Sequence, residues 1–138
     1  MIIGIGTDIV DNNRVKKIIE KYGERFKKKC FTINEINRSE NKFNTINSYA
    51  KRYAAKEACA KALGTGIANG IFWKDIEITN NISGKPNLIL HNNALNKFNL
   101  LSKKKCLIEL TISDEKNYSI ANVVIFEKWK IKVILFLI

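Results

Sequence analysis

The sequence predicts a small α+β domain, a mostly antiparallel sheet with helices packed against it. Three observations lead there. Apolar segments of strand length and segments with helical apolar spacing follow one another as β-α-α-β-β-α-β-β, not as a regular βαβ alternation. Short turn signals, Ser83-Gly84 and Asp114 to Asn117, separate the later strands and favour antiparallel neighbours. A chain of 138 residues, 46% of them apolar, is long enough for one core in one domain.

Ile2 to Val10 reads as a buried strand. Asp11 or Asn12 then caps a helix running to about Lys28. Val15, Ile18, Ile19, Tyr22 and Phe26 form its apolar stripe, and Arg14, Lys17, Lys21, Arg25 and Lys28 a basic stripe beside it. Thr32 to Asn47 is polar and reads as a short helix and a loop. A second long helix spans about Ile46 to Leu63, with Gly64 as its stop. After a connection (Ile67 to Phe72) come strands Trp73–Thr79 and Asn87–His91, a short helix Asn92–Leu101, and strands Cys106–Ser113 and Ser119–Phe126. Residues 1–127 make the domain. The tail 128–138 ends in an unbroken apolar run, Val133 to Ile138, too short to span a bilayer and without an assigned role.

One proline and seven glycines argue against a disordered tail. The start, Met-Ile-Ile-Gly-Ile-Gly, has no basic leader or small-residue cleavage site, and no stretch reaches the length of a membrane span. A cytoplasmic protein is the expectation. Cys30, Cys59 and Cys106 are far apart and form no Cys-x-x-Cys pair, so they read as reduced structural thiols. The net charge of +11 suggests an anionic partner, but the chain is rich in Lys, Asn and Ile together, so part of its basicity is composition.

The chemistry concentrates in Arg52-Tyr-Ala-Ala-Lys-Glu-Ala-Cys-Ala-Lys-Ala-Leu-Gly-Thr-Gly66. Glu57 and Lys61, four apart, share a helix face one turn apart. Ala55, Ala58, Cys59 and Ala62 give the helix a small-residue face for close packing. Asp8 is a second acid, from the first strand. Alone, Asp8 reads as a helix cap and Glu57–Lys61 as an ordinary surface pair. Together, two carboxylates and a lysine suit a divalent metal held against a phosphate.

These residues resemble the holo-acyl-carrier-protein synthases, the small phosphopantetheinyl transferases. The matching segments run in family order: Gly4-Ile-Gly-Thr-Asp-Ile, Arg52 to Gly66, Trp73-Lys-Asp-Ile-Glu-Ile, Gly84-Lys-Pro, and Leu110-Thr-Ile-Ser-Asp-Glu-Lys-Asn-Tyr-Ser-Ile-Ala. The resemblance implies transfer of the 4′-phosphopantetheine arm of coenzyme A to a serine of apo-acyl carrier protein, with adenosine 3′,5′-bisphosphate leaving, in fatty acid biosynthesis. It implies magnesium, and a homotrimer with interfacial active sites. It makes Asp8 and Glu57 the magnesium ligands and, with Lys61 on the pyrophosphate, the catalytic set. Arg52 would bind the adenosine end of coenzyme A. Gly64, Thr65 and Gly66 would approach the nucleotide or pantetheine, and Lys85 and Pro86 would line the adenine pocket; a plain helix stop and a hairpin turn are the other readings of these two segments. The basic residues Arg14, Lys17, Lys21 and Arg25, spaced as one ridge, would dock the acidic carrier protein, although Lys17 and Arg25 also read as a solvated face.

His91 lies outside these motifs and reads as structural, so the serine proton passes to Glu57, to a metal-bound water or to a substrate phosphate. Many family members have histidine, associated with the 3′-phosphate, where this chain has Asp114. An aspartate repels a phosphate. Either Lys116 or Arg52 therefore carries that contact, or the phosphate sits differently. A basic nucleic-acid-binding domain is the non-enzyme alternative, but the chain has no RNA-recognition or helix-turn-helix pattern. A dinucleotide fold fails because Ile9 stands where the third glycine belongs. A transferase serving polyketide or peptide synthetase carriers is the alternative within enzymes. Its larger class is a fused pseudo-dimer about twice as long. Neither nucleic acid nor membrane is an expected partner.

Overall fold

A computed structural model of the protein describes residues 1–129. Its elements are β1 (Ile2–Asp11), α1 (Asn12–Tyr22), α2 (Glu24–Cys30), α3 (Ile33–Glu40), α4 (Thr45–Ala62), a 3-10 turn (Trp73–Asp75), β2 (Ile76–Asn80), β3 (Pro86–Leu90), α5 (Asn92–Leu100), β4 (Cys106–Asp114) and β5 (Tyr118–Glu127). Strands β1, β5 and β4 form one antiparallel sheet in that order, and β2 and β3 form a separate hairpin. The α+β expectation holds. Apart from Lys128 and Trp129, the tail lies outside the described residues.

Three expectations need correction. The first long helix is two helices. Gly23 (φ 50°) breaks it, ending α1 with its N–H on the Ile19 carbonyl and serving as the cap before α2. Arg25 and Lys28 therefore lie on α2, and the basic residues do not share one helical ridge. Trp73–Thr79 is not strand throughout: its first three residues form a 3-10 turn closed by Asp75, whose carboxylate accepts from the Phe72 N–H. Finally, β1 is an edge strand buried on one face only. Ile5 and Ile9 are 61% and 63% exposed in the single chain.

Strand alternation accounts for the half-burial of β1. Gly4, Gly6, Asp8 and Val10 share the face turned toward α4. Helix α4 lies across β1 and β5 with Ala54, Ala55, Ala58, Cys59 and Ala62 buried. The approach is backbone to backbone: a Cβ on Gly4 would strike the Ala62 carbonyl, and one on Gly6 would strike the Ala58 carbonyl. Asp11 caps α1, its carboxylate accepting from the Asn13 and Arg14 N–H groups.

A second anchor lies on the far side of α4. The Lys56 ammonium, fully buried, pairs with Glu35 at 2.8 Å and donates to the Trp73 carbonyl at 3.0 Å and to the Ile76 carbonyl. Glu35, also buried, accepts from the Ile78 and Thr32 N–H groups, the latter closing the cap of α3. Burial pulls the Lys56 ammonium below its ordinary value, opposed by the Glu35 carboxylate. The cysteines are free among the described residues, and burial pushes the Cys30 and Cys59 thiols up to about 11 and about 12, as expected of inert structural thiols.

The close β1–α4 seam gives a direct test. Gly6→Ala should lose about 1–3 kcal/mol in urea unfolding through overpacking. Unchanged stability would mean that the two backbones are not in contact.

Candidate active site

The seam places Asp8. Two residues beyond Gly6 on the inward face, its carboxylate meets α4, and the Lys61 ammonium donates to it at 2.8 Å and to the Thr7 carbonyl at 2.8 Å. One turn before Lys61, Glu57 opens into the same region. Asp8, Asp11, Arg14, Tyr53 and Glu57 line one cavity of about 510 Å³ between β1, α1 and α4. Three carboxylates thus face it against one guanidinium, with Lys61 attached to Asp8 at its edge. Burial raises the Glu57 carboxyl above its usual range, and the Asp8 charge raises it further; Lys61 opposes both. Burial also pushes the Tyr53 phenol up to about 12, so it stays a neutral hydroxyl, its ring stacked 4.6 Å from Trp73.

A second cavity, of about 560 Å³, lies at the N-terminal end of α4, between the β2–β3 turn and the end of β4. Arg38, Lys42, Lys51 and Arg52 line it against one acid, Asp114. Arg52 is 5% exposed and held in the wall: it donates to the Ser48 carbonyl (3.0 Å), the Ser48 hydroxyl (2.7 Å) and the Asn80 side-chain oxygen (3.4 Å). Its Nε is the one buried side-chain polar atom without a partner among the described residues. Burial lowers its guanidinium below the ordinary value. Pro86 lines this cavity too.

The other candidate residues are dispersed. Gly64 (φ 78°) ends α4, and Thr65 and Gly66 turn back with their N–H groups on the Ala60 carbonyl. None of these three lines either cavity. Neither does Lys85, which pairs with Glu109 at 2.9 Å. Arg14 opens onto the carboxylate cavity, whereas Lys17 and Lys21 lie along α1 and Arg25 on α2. His91 pairs with Glu77 at 2.8 Å, a structural contact. Lys116 is exposed and does not line the cavity of Arg52, so of the two cations weighed against Asp114 only Arg52 is there. Lys51, Asn47 and the buried Lys56–Glu35 pair escaped sequence reasoning.

Residues 4–123 match the model of the 4′-phosphopantetheinyl transferase superfamily. The chain belongs to the holo-[acyl-carrier-protein] synthase family of these enzymes. It is 50% identical over 127 residues to the holo-[acyl-carrier-protein] synthase of Agrobacterium fabrum, covering 91% of this chain and 95% of that one. The corresponding synthase of Bartonella tribocorum is 49% identical over 127 residues, at 91% and 96% coverage. Among solved structures, the synthase of Neisseria meningitidis superposes with a TM-score of 0.81 at 36% identity, over 92% of this chain and all of that one. A Bacillus anthracis synthase, solved in complex with CoA (3′,5′-ADP), gives a TM-score of 0.75 at 35% identity, over 93% and 99% of the two chains.

The charge arrangement around Glu57 is testable without substrate. In a carboxyl NMR titration, Asp8→Asn should move the Glu57 midpoint down by removing a like charge, and Lys61→Met should move it up. Shifts in the opposite directions would separate these three groups.

Proposed function

We propose that the cavity between β1, α1 and α4 is where this synthase moves the 4′-phosphopantetheine arm of coenzyme A onto a serine of apo-acyl carrier protein, releasing adenosine 3′,5′-bisphosphate. The observation that carries the assignment is the convergence of Asp8, Glu57 and Lys61 from β1 and one face of α4. Two carboxylates, one of them raised by burial and then by the other's charge, suit a divalent cation, and two is the number that magnesium takes when it keeps waters and substrate oxygens as its other ligands. Among the described residues no larger cluster of metal-ligating side chains forms. Asp8 and Glu57 would hold the ion. Bound there, magnesium supplies positive charge to a pyrophosphate and its leaving oxygen. Lys61, half exposed beside Asp8, faces a phosphate oxygen and stabilises the charge that develops in transfer.

The cationic cavity around Arg52 takes the nucleotide end. It shares no lining residue with the carboxylate cavity, which favours a site assembled from two copies of the chain. The outer face of the β1-β5-β4 sheet, with Ile5 and Ile9 uncovered, offers the surface for a homotrimer. Arg14, at the mouth of the carboxylate cavity, leads carrier docking, with Lys17, Lys21 and Arg25 extending positive charge along α1 and α2. No helix among the described residues is long and apolar enough to cross a membrane. Fatty acid biosynthesis in the cytoplasm is the setting we assign.

Two experiments test this reading. Mass spectrometry of apo-acyl carrier protein, after incubation with the enzyme, coenzyme A and magnesium, should show the gain of one phosphopantetheine arm, abolished by a chelator. Asp8→Ala and Glu57→Ala should each slow that gain about a hundredfold or more with the fold intact; near-full activity in both would remove the metal assignment. Arg14→Glu should raise the KM for carrier protein roughly tenfold and that for coenzyme A by less than about twofold. Equal rises would remove the docking role.

A further inference from the structure

We infer that the corner where the α5–β4 connection meets the end of β5 is a docking face for an anionic lipid surface, a property separate from the transfer reaction. The Glu127 N–H donates to the Met1 carbonyl (2.9 Å) and the Lys128 N–H to the Lys105 carbonyl (2.8 Å). The start of β1, the connection 101–105 and the end of β5 therefore come together. Lys103, Lys104, Lys105 and Lys128 are exposed there, and Lys97 is exposed one turn before Leu100 on α5. The acid of this corner, Glu127, is buried, accepts from the Ser102 hydroxyl at 2.8 Å and pairs with Lys104 at 3.4 Å. Among the described residues Lys97, Lys103, Lys105 and Lys128 have no acidic partner, whereas Lys16, Lys27, Lys61 and Lys85 each have one. The positive charge of the chain is thus least compensated at this corner.

Charge alone would suit any polyanion, and part of the basicity of this chain is composition. The apolar side chains decide for lipid. Leu100 is 82% exposed, Trp129 80% and Met1 69%, all beside the lysines. Lysines with exposed leucine and tryptophan make a surface that enters the headgroup layer. The ammonium groups meet lipid phosphates, and the indole sits where hydrocarbon gives way to water. Past Trp129 the sequence reads Lys-Ile-Lys-Val-Ile-Leu-Phe-Leu-Ile, two more lysines and then an apolar run. A nucleic acid offers a stacking partner to tryptophan but nothing to such a run. Basic charge with apolar side chains supplies the two signals that stable peripheral binding needs. This departs from the sequence expectation of no membrane partner, which rested on the lack of a spanning segment; a surface contact needs none. None of these residues lines either cavity, and Met1 and Asp8 stand roughly 20 Å apart along β1, so the corner is distinct from both.

The test is co-sedimentation of the full chain with vesicles of phosphatidylcholine and phosphatidylglycerol in equal parts, against vesicles of phosphatidylcholine alone. Binding to the mixed vesicles should be about tenfold tighter or more, with that advantage lost as salt rises from about 0.05 to about 0.5 M. Lys103→Glu combined with Lys105→Glu should weaken it about tenfold or more, and Lys28→Glu with Lys29→Glu, the same charge change on α2, by less than about threefold. Tryptophan emission should shift to the blue on the mixed vesicles, and Trp129→Ala should abolish the shift. No binding to the mixed vesicles, equal binding to both kinds, equal losses in the two double variants, or a shift that survives Trp129→Ala would each overturn the inference. A single-stranded oligonucleotide that binds more tightly than the mixed vesicles, and loses that binding in the Lys103 and Lys105 variant, would overturn it in favour of nucleic acid. If the glutamate variant fails to fold, Lys103→Gln with Lys105→Gln answers the same question, with a loss of about threefold or more expected and no loss overturning the assignment. Phosphopantetheine transfer without vesicles should be unchanged in the corner variants; a parallel loss would mean that the corner serves the reaction or the fold and not a surface.

Discussion

Everything at the carboxylate cavity depends on how close β1 comes to α4. Glycine at positions 4 and 6, against Ala58 and Ala62, lets the strand backbone lie against the helix backbone. Here Lys61 reaches both the Asp8 carboxylate and the Thr7 carbonyl. The strand's two-residue period then does the rest: Gly4, Gly6 and Asp8 fall on one face, so the residues that permit contact and the residue that uses it share a pattern.

The opposite side of α4 is fixed by a different kind of force. Lys56 and Glu35 are removed from water, and such a pair is stabilising only when the remaining donors and acceptors are met. They are met here by the backbone at Trp73, Ile76, Ile78 and Thr32. An apolar pair of similar volume would fill the space without choosing among backbone partners. The ion pair ties α3, the 3-10 turn and β2 to one position along α4, and so sets where the β2–β3 turn stands relative to Arg52 and Asn80. One helix is thus located by close apolar contact on one side and by hydrogen-bond direction on the other.

That difference explains what could be read from the sequence. The alanine face of α4, its glycine stop, the Asp11 cap and the pairing of the last two strands follow from local spacing and turn chemistry, and they appear as expected. So does the alignment of Glu57 with Lys61. Lys56 is illegible because a lysine one residue before Glu57 in a charged helix looks like solvated surface; only the fold shows that its partner lies 21 residues earlier, on a polar segment that reads as a short helix and a loop. The break at Gly23 is not legible because Tyr22 and Phe26 continue the apolar stripe across it, and periodicity alone does not register a positive φ. Asp114 looked like a liability because its partners, Lys51 and Asn47, come from a distant helix.

The two cavities carry opposite charge along a single helix. Near the N-terminal end of α4, four cations face one acid; farther along, three carboxylates face one guanidinium. A polyphosphate is repelled by the second cavity unless something offsets its carboxylates, and Lys61 offsets only one. Burial first, and then the Asp8 charge, make Glu57 a carboxyl that resists ionising. Its folded-state value is raised, so the protonated form contributes stability at low pH and that contribution fades as pH rises through the folded titration range. Under the proposed function a divalent cation would reverse the balance by giving both carboxylates a partner. Asp8 has Lys61 as a partner while Glu57 has burial and the Asp8 charge against it, and that imbalance is the physical reason the proposed function sets the metal beside these two carboxylates and the nucleotide in the cationic cavity.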